Sequence, residues 1–505
     1  MPAGFTAGDF YYLLPEFVLT GGSLLLLGAD ALLRGQHRRL LAWITILTLA
    51  ATGAALVPFA AANVTIARGL LAVDTFAFFF KVLFLFAALL SVLMSMKFLE
   101  VEGVRPGEYY FLVLCATLGM MIVAGGIDLI TIFIGLETMA ISFYVLAGYL
   151  KPDRRSNEAA VKYFLLGTFS VGILLYGMSI LYGLTGTTQL RAIAEALATG
   201  KGSVLLALAC VLIVAGIGFK IAAVPFHMWA PDVYEGSPTP IAAFLSVGSK
   251  AASFAMLLRI FVEALPAFSR GGLGEWFGNP LGWTTFFYVL SVVTMTVGNL
   301  AALTQTNMKR LLAYSSIAHA GYVLIGIVSI ASGSTRGITA TLVYLFIYAL
   351  MQLGAFAIVV MMRRADAIGD ELKDLSGLYF RHPAAALAML LFMLSLGGIP
   401  PTAGFMGKFW VFGAAIEAGY VWLAVIGVLN SAISLYYYIR VVVFMFINEE
   451  AIGSSPSLSP ALAAVLVVAA AGTLLFGMYP APLFDLAEAS AATLGRAGAA
   501  LTLVR

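Results

Sequence analysis

The stretch GFKIAAVPFH, residues 218–227, decides how this sequence is interpreted. It places Lys220 and Pro225 inside an apolar segment that runs over residues 203–230. A second stretch, GGIPPTAGFMGK at residues 397–408, lies inside the apolar segment 383–418 and ends at Lys408. Proline removes a backbone donor, so the helix breaks and the freed carbonyl groups need water or side chains. One such proline would indicate an ordinary kink, but two matched breaks beside lysines favour a transport site.

The composition around these stretches is that of an integral membrane protein. Hydrophobic residues make up 62% of the 505 residues, charged residues 10%, and the mean hydropathy is +1.00. Soluble domains carry about 25% charged residues. A net charge of +3 leaves no basic surface for a nucleic acid, so nucleic-acid-binding, secreted and disordered classes are excluded.

Two further features concern cysteine usage and the N-terminus. Cys115 and Cys210 lie in apolar runs without a CxxC or Cys/His cluster, so neither a disulfide nor a metal site is expected. The first cation, Arg34, follows the first apolar run, so a cleavable signal peptide is not expected.

The number of membrane spans follows from apolar runs of about 20 residues, the length that crosses the hydrocarbon. The sequence predicts an all-α polytopic fold with about fourteen spans, near residues 10–33, 40–62, 75–98, 109–127, 129–150, 158–184, 203–230, 239–264, 281–304, 309–331, 337–362, 383–418, 421–447 and 459–479.

The orientation follows from the distribution of the 28 lysines and arginines. Connections after odd-numbered helices hold fifteen, among them Arg34, Arg38, Arg39 and Arg364, whereas connections after even-numbered helices hold six. Cytoplasmic connections are the ones enriched in cations. Both termini are therefore expected on the outer, periplasmic side.

The two breaks lie five helices apart, so helices 4–8 and 9–13 are predicted to be two copies of one unit. Because five is odd, the second copy crosses the membrane in the opposite direction, which makes an inverted repeat. The expected organisation is a single membrane domain, 1–505, with N-terminal helices 1–3 in 1–107, the first repeat in 108–264, the second in 280–447 and helix 14 at 459–479.

Several ionisable residues fall inside predicted helices, where each costs roughly 2.5–3.5 kcal/mol on insertion scales. Glu137 lies eight residues into the fifth helix, about 12 Å deep at about 1.5 Å per residue. Lys220, Lys250 and Lys408 occupy the seventh, eighth and twelfth helices. Burial favours an uncharged lysine and a nearby carboxylate favours a charged one, so such a row can relay protons. A purely structural ion pair between Glu137 and Lys220 is the alternative.

Three further candidates have simpler alternatives. His319 in the tenth helix fits a relay position or a hydrogen-bonded packing role. His227, beside the first break, fits a supporting partner or an interfacial residue. Lys162 and Lys81 lie near helix starts, where a side chain can extend to the interface, and this is the expectation for Lys81.

Several tyrosines are candidates for holding water, packing between helices or lying at the membrane interface. Tyr344 and Tyr348 share one side of the eleventh helix, where they could hold water beside Lys408 or pack against another helix. Tyr436, Tyr437 and Tyr438 are expected in an interfacial aromatic belt. No stretch resembles a nucleotide loop, a haem site or an iron–sulfur motif, so no cofactor or metal site is expected in this chain.

Taken together, the motifs resemble subunit N of respiratory NADH:quinone oxidoreductase (complex I), in the antiporter-like proton-translocating family. They are Leu14-Pro15-Glu16 with Asp30, Glu137, GFKIAAVPFHMWAPD at 218–232, YSSIAHAGY at 314–322 and GGIPPTAGFMGKF at 397–409. Subunit M typically carries Glu where this chain has Lys408. Subunit L continues into a long lateral helix, whereas about 26 residues follow the fourteenth helix here. The D-type membrane protein of multisubunit cation/proton antiporters also carries the lysine and is the alternative.

The resemblance implies a half-channel from the cytoplasm to Glu137 and Lys220, with Lys250 as the bridging site. Lys408 would release the proton outward, and His319 matches a relay position. NADH, FMN, iron–sulfur clusters and quinone are implied in partner subunits only. The implied partners are an M-like neighbour, the small subunits J and K, and lipid of the inner (plasma) membrane, with no nucleic acid.

Two other classes of function remain open at this point. A stand-alone secondary transporter would hold its substrate in the cavity between the broken helices. A purely structural membrane scaffold would not need the buried lysines, which argue against it.

Overall fold

The structure is a computed structural model that describes residues 7–33, 39–198, 203–276, 279–332, 334–363, 369–447 and 458–502. Within these ranges the chain is almost wholly helical, which confirms the predicted all-α membrane fold. Arg34, Arg38 and Arg364, three of the cations used to orient the chain, lie outside the described residues.

The helices follow one another along the chain with short connections. Those of the first half are α1 Ala7–Tyr12, α2 Leu14–Leu32, α3 Arg39–Leu56, α4 Thr75–Glu102, α5 Gly107–Gly125, α6 Leu129–Ala147, α7 Arg154–Thr185, α8 Leu190–Ala198, α9 Val204–Lys220, α10 Trp229–Gly236, α11 Thr239–Phe244 and α12 Lys250–Leu258. Those of the second half are α13 Trp283–Ala302, α14 Met308–Val328, α15 Arg336–Met362, α16 Leu378–Arg381, α17 Pro383–Gly397, α18 Ala403–Glu417, α19 Val421–Phe446, α20 Pro460–Met478 and α21 Ala481–Thr502.

The fourteen predicted spans are present in the described part of the chain. Twelve helical segments are long and apolar enough to cross a membrane, and one of them joins α11 and α12 over Thr239–Ala264. The other two spans are the broken ones, α9 with α10 and α17 with α18. The predicted segment 203–230 differs in detail, because its helix ends at Lys220 and resumes only at Trp229.

The inverted repeat is visible in the order of these elements. α5 to α12 form the first five-span unit, and α13 to α19 form the second. Each unit has its broken helix as the fourth span, and each break contains a cis X-Pro bond, Val224–Pro225 in one and Pro400–Pro401 in the other. The two broken helices are the seventh and twelfth spans, an odd offset of five, so the units run in opposite directions.

The core lies where the eighth, tenth and eleventh spans meet. The most apolar windows of Thr239–Ala264, α14 and α15 are 100%, 94% and 94% buried, whereas those of α2, α3 and α20 are 22–39% buried. A helix that is apolar on all sides and also fully buried packs against other helices, not lipid. The three central helices carry Lys250, His319 and Tyr344.

Polar caps fix the helices that carry candidate residues. Asp128 caps α6 by accepting hydrogen bonds from the backbone N–H groups of Ile130 and Thr131, at 2.9 and 3.3 Å. Asn307 caps α14 in the same way. Caps of this kind satisfy orphan amide groups and stabilise a helix by about 1 kcal/mol.

Two short antiparallel hairpins are the only strands in the described residues, and the sequence patterns do not predict them. β1 Val64–Ile66 pairs with β2 Leu71–Val73, so that Thr65 faces Ala72. β3 Glu275–Trp276 pairs with β4 Asn279–Pro280. Both lie in connections between spans.

A helix also follows the last span, where no element is predicted from the sequence. α21 packs along the first turn of α4: Ser490 donates to the carbonyl of Thr75 at 3.0 Å, and Thr75 donates to the carbonyl of Ala489 at 3.2 Å. Its apolar side, with Leu483, Phe484 and others, is buried against the bundle. Alanine and serine residues interrupt the large apolar residues of α21, so a search for long apolar runs does not find this helix.

The expectation that Lys81 extends to the interface is wrong. Lys81 is 5% exposed, and its Nζ lies 2.6 Å from Oε1 of Glu16 on α2. A buried cation of this kind needs a partner because charge is costly away from water. The sequence could not show the pairing, because the two residues are far apart along the chain.

We expect a cytoplasmic-active reporter to function when fused after Arg155 or Lys373 and not at the C-terminus. The two fusion points lie at one end of the bundle, where Arg155, Glu235 and Asp370 line a common small cavity. The cation count assigns this end to the cytoplasm. Enzymatic activity of paired cytoplasmic and periplasmic reporters measures the orientation. An active cytoplasmic reporter at the C-terminus would contradict it.

Candidate functional site

The first broken helix carries Lys220 at its interruption, where α9 gives way to the non-helical residues 221–228. Ala222 adopts a left-handed conformation with φ of 57°, which is uncommon for a residue with a side chain. The N–H of Val224 donates to Thr294 Oγ1 at 3.0 Å, and the indole of Trp229 donates to a carbonyl of α9 at 2.9 Å. Side chains thus satisfy backbone groups freed within the membrane.

Lys220 is buried against a tyrosine of the fifth span. Its Nζ donates to the hydroxyl of Tyr144 at 3.3 Å and lies 5.5 Å from the centre of that ring. Glu137 precedes Tyr144 by seven residues, two turns of the same helix, so both side chains face Lys220. Oε1 of Glu137 is buried without a hydrogen-bond partner. Among the described residues no N–O contact within 4 Å joins Glu137 to Lys220, so a contact ion pair is not observed.

Lys250 occupies the centre of the fully buried eighth span. It follows the π-helical segment Leu245–Ser249, a feature that recurs at functional sites. Its Nζ donates to the carbonyl of Ser316 at 2.5 Å and also contacts the hydroxyl of that serine. The Tyr234 hydroxyl lies 3.5 Å from the same Ser316 Oγ. In the described part of the chain no carboxylate forms an ion pair with Lys250, whose hydrogen bonds go to Ser316.

His319 lies in a group of hydroxyls between the eighth span and the second break. Its Nδ1 is hydrogen-bonded to the Tyr344 hydroxyl at 2.8 Å and its Nε2 to the Tyr438 hydroxyl at 3.1 Å. The Ser315 hydroxyl lies 2.6 Å from Tyr438 OH. A neutral imidazole donates at one nitrogen and accepts at the other, so this arrangement can pass a proton from one hydroxyl to the next. Tyr344 therefore contacts His319.

Lys408 caps the second broken helix. Although it belongs to α18, its Nζ reaches back to the carbonyls of Leu396 and Gly397, at 3.0 and 2.9 Å, and to Ser431 Oγ at 2.7 Å. The carbonyl end of a helix carries partial negative charge, which stabilises a cation there. Gly398 has φ of +84°, and a Cβ at this position would lie 2.8 Å from Lys408 Cδ. The glycine thus makes room for the lysine.

The two broken helices hold their lysines in mirrored order. Lys220 is the last residue of the half-helix before its break, whereas Lys408 lies beyond its break and returns to the end of the preceding half-helix. The Lys408 ammonium bonds the carbonyl end of a half-helix, whereas the Lys220 ammonium bonds the Tyr144 hydroxyl. The two lysines are therefore not equivalent positions of the repeat, although each lies beside the break of its own unit.

His227 and Lys162 are not brought into this buried row. His227 is half-buried beside the exposed Met228, and its Nδ1 is buried without a hydrogen-bond partner. The Lys162 side chain is 41% exposed and lies 2.6 Å from Asp232 and 2.8 Å from Glu158. Asp232 also pairs with Arg310 at 2.7 Å, so Lys162 belongs to a network of charges at one end of the bundle.

Two of the three consecutive tyrosines predicted in an aromatic belt are not interfacial. Tyr436 is exposed, but Tyr437 and Tyr438 are buried. The hydroxyl of Tyr437 donates to Asn299 at 2.9 Å, and Tyr438 contacts His319. Successive residues of a helix are about 100° apart, so the three cannot share one environment. The prediction is wrong for the last two because it ignores this rotation.

A buried charged cluster, not predicted from the sequence, lies on the eighth span. Arg259 is 1% exposed and lies 2.8 Å from Asp74 and 2.6 Å from Glu263. It also donates to the carbonyl of Ala124 at 3.2 Å. Asp74 is the N-cap of α4, so the cluster ties the third, fourth and eighth spans together. The spacing of Arg259 and Glu263, four apart on one helix, is the signal that could have indicated it.

Among the residues that the structure describes, no three His, Cys, Asp or Glu side chains converge as metal ligands. Cys115 and Cys210 are free thiols there.

Fold and site together define a polytopic helical membrane protein built on an inverted repeat, with a buried row of lysines at its two broken helices. A family model described as NADH:quinone oxidoreductase/Mrp antiporter, TM, matches residues 126–434, more than half of the chain. The chain belongs to this family of antiporter-like membrane subunits.

Individual relatives agree over nearly the whole length. NADH-quinone oxidoreductase subunit N of Trichlorobacter lovleyi is 45% identical over 480 residues, covering 94% of this chain and 96% of the relative. Subunit N 2 of Rhizobium meliloti is 46% identical over 477 residues, covering 94% and 96%. A chain of respiratory complex I from Thermus thermophilus superimposes with a TM-score of 0.78 and 35% identity, covering 93% of this chain and 98% of that one. A chain of the Mrp complex from Dietzia shares the fold, with a TM-score of 0.82 and 22% identity.

Proposed function

We propose that this chain is the subunit N of an NADH:quinone oxidoreductase (complex I) in the inner (plasma) membrane, and that it translocates protons through its buried row. Electron transfer from NADH to quinone, with FMN and iron–sulfur clusters, takes place in partner subunits. The subunit M-like neighbour and the small subunits J and K are the proposed neighbours. The relatives at 45–46% identity support this assignment, because they carry the subunit N name over 94% of this chain.

The observation that supports proton translocation is the burial of three lysines that have no carboxylate in contact among the residues the structure describes. Lys220, Lys250 and Lys408 are 2%, 3% and 4% exposed, and their bonds go to hydroxyls and backbone carbonyls. A permanent structural cation would be expected beside a carboxylate, as Lys81 is beside Glu16. A lysine held only by dipoles responds strongly to a change of charge nearby, because little screening separates buried groups.

The proposed sequence of events starts at the end of the bundle assigned to the cytoplasm. Protons would reach Lys220 under control of Glu137, with Tyr144 between the two. Lys250 would receive the proton through the hydroxyls of Tyr234 and Ser316, which are 3.5 Å apart.

His319, held between two tyrosine hydroxyls, would pass the proton into the second repeat. Lys408 would release it outward beyond the second break. Segments 108–264 and 280–447 would act as the two half-channels, while 1–107 and 459–479 would enclose them.

The runner-up is the D-type membrane protein of a multisubunit cation/proton antiporter. The family model and the shared fold support it, since both include Mrp proteins. In that case the same buried row would exchange protons for another cation without electron transfer.

Gentle detergent extraction followed by native electrophoresis and identification of the co-purifying chains tests the proposal. We expect the chain in a very large assembly with flavin- and iron–sulfur-containing subunits. Co-purification with cation-antiporter subunits only would favour the runner-up. Migration of the chain alone under conditions that preserve other respiratory assemblies would contradict both and favour a stand-alone transporter.

A further inference from the structure

A large groove opens between α3, α4 and the start of α20, on the part of the chain outside the two repeats. Its volume is about 1030 Å³, at the upper end of the range of about 300–1,000 Å³ for small-molecule pockets. Apolar side chains form most of its wall, including Ala42, Trp43, Leu93, Met96 and Leu99. The groove therefore fits a long apolar ligand better than a soluble metabolite.

The rim of the groove is charged and lies at one end of the bundle. Arg39 lies 2.7 Å and Lys97 lies 3.7 Å from the two carboxylate oxygens of Glu100. Their side chains are 79%, 37% and 48% exposed, so all three are accessible. Among the described residues that line the groove, two cations share one carboxylate, which gives this lining a net positive charge. A phosphate group could bind both cations in place of, or beside, the carboxylate.

The position of the rim matches the headgroup level of a bilayer. Trp43 lines the groove and is 53% exposed, as tryptophans at membrane interfaces are. α20 begins at Pro460 on the same rim, so the positive end of its helix dipole adds to the two cations. The cation count assigns this end to the cytoplasm, whose leaflet is the anionic one.

From this arrangement we infer that the groove binds an anionic phospholipid of the cytoplasmic leaflet, with its phosphate at Arg39 and Lys97 and an acyl chain along the apolar wall. The site makes no use of the buried lysines, so it stands or fails independently of proton translocation. A lipid bound here would fill the space between α20 and the helices of the N-terminal segment.

Photoactivatable lipids test the site in the purified assembly reconstituted into nanodiscs. The probes are phosphatidylglycerol and phosphatidylcholine with the same photoreactive acyl chain, and labelled peptides are located by mass spectrometry. We expect the anionic probe to label residues 39–43, 93–104 and 458–464 about tenfold more than the zwitterionic probe, since each cation near an anionic surface contributes about 1 kcal/mol. Equal labelling by both probes, or no label in these peptides, would overturn the inference.

Charge variants separate the site from general surface attraction. Arg39→Glu with Lys97→Glu is expected to lower anionic labelling to the zwitterionic level. The matched control is Lys151→Glu with Arg154→Glu, two exposed cations at the same end of the bundle that do not line the groove. The control should label as the natural chain does. An equal loss in both double variants would show a non-specific surface effect and refute the site.

Glu100→Gln supplies a test in which the inference predicts a gain of labelling, whereas the charge reversals predict a loss. It removes the carboxylate that competes for Arg39 and Lys97, so anionic labelling should rise about fivefold. Native gels check that the variant is folded and assembled before its labelling is compared. This variant also decides the matter if the double reversal fails to accumulate, because unchanged or reduced labelling by the anionic probe contradicts the inference.

Discussion

Replacing Lys220 with methionine is expected to abolish proton pumping in a fully assembled complex. Methionine keeps the length and most of the volume of the side chain but has no group that binds a proton. Moving one charge against 100 mV requires about 2.3 kcal/mol, and a chain without this loading site has no buried lysine at the first break to hold the proton. The measurement is protons translocated per NADH oxidised in vesicles, with assembly checked on native gels.

Two further variants distinguish a titrating lysine from a structural cation. Lys220→Arg should fail as well, because a guanidinium keeps its charge and cannot release the proton. Glu137→Gln should give a milder defect that is partly recovered in a more acidic medium, since it removes a carboxylate from the helix that faces Lys220, and a nearby carboxylate favours a charged lysine.

The control for these variants is a second buried lysine outside the row. Lys81→Met combined with Glu16→Gln removes a buried pair without leaving one charge alone, so the complex should assemble and pump normally. Normal pumping by an assembled Lys220→Met complex would refute the proposed role of Lys220. Normal pumping by Lys220→Arg would show that only its charge matters.

Replacing Lys408 with methionine, or Gly398 with alanine, is expected to reduce pumping by about tenfold or more. Lys408→Met deletes the ammonium that bonds the carbonyls of Leu396 and Gly397, and a hydrogen bond to a charged group contributes about 1.5–3 kcal/mol. Gly398→Ala leaves the lysine in place but moves it, because the added Cβ would lie 2.8 Å from Cδ and 3.3 Å from Nζ.

Gly419→Ala is the matched control for Gly398→Ala. Gly419 has φ of +88°, and a Cβ there would meet nothing within 4 Å. Both alanines suffer the same left-handed backbone strain of roughly 1–2 kcal/mol, but only the one at position 398 displaces a lysine. Near-normal pumping by Gly419→Ala and loss by Gly398→Ala is the expected pair of results. Equal pumping by the two assembled variants would contradict the displacement argument.

Much of the fold follows from local rules that a single sequence contains. Apolar length identifies the spans, and proline with glycine identifies the breaks at Pro225 and Pro400. The residues that bond the buried lysines do not follow from such rules. Tyr144, Ser316 and Ser431 approach from helices distant in the sequence, and each belongs to a residue type common in membrane helices.

The wrong or missing predictions have the same origin. From its position near a helix start, Lys81 resembles an interfacial lysine, and only the folded structure shows that Glu16 lies beside it. The ion pair of Arg259 with Asp74 forms only because the third and eighth spans pack together in the fold. α21 escapes notice because burial of one side, not apolar length, holds it on the bundle.

The arrangement of hydrogen bonds in the buried row bears on whether protons could leak passively across the membrane. Within the described residues they form separate groups around Lys220, Lys250, His319 and Lys408, and no side-chain hydrogen bond joins one group to the next. An unbroken chain of hydrogen-bond donors and acceptors from one membrane face to the other would conduct protons passively and dissipate the electrochemical gradient. Under the proposed function, the gaps between the groups would act instead as insulation, and protons would pass only when water or a moving side chain closes them in turn.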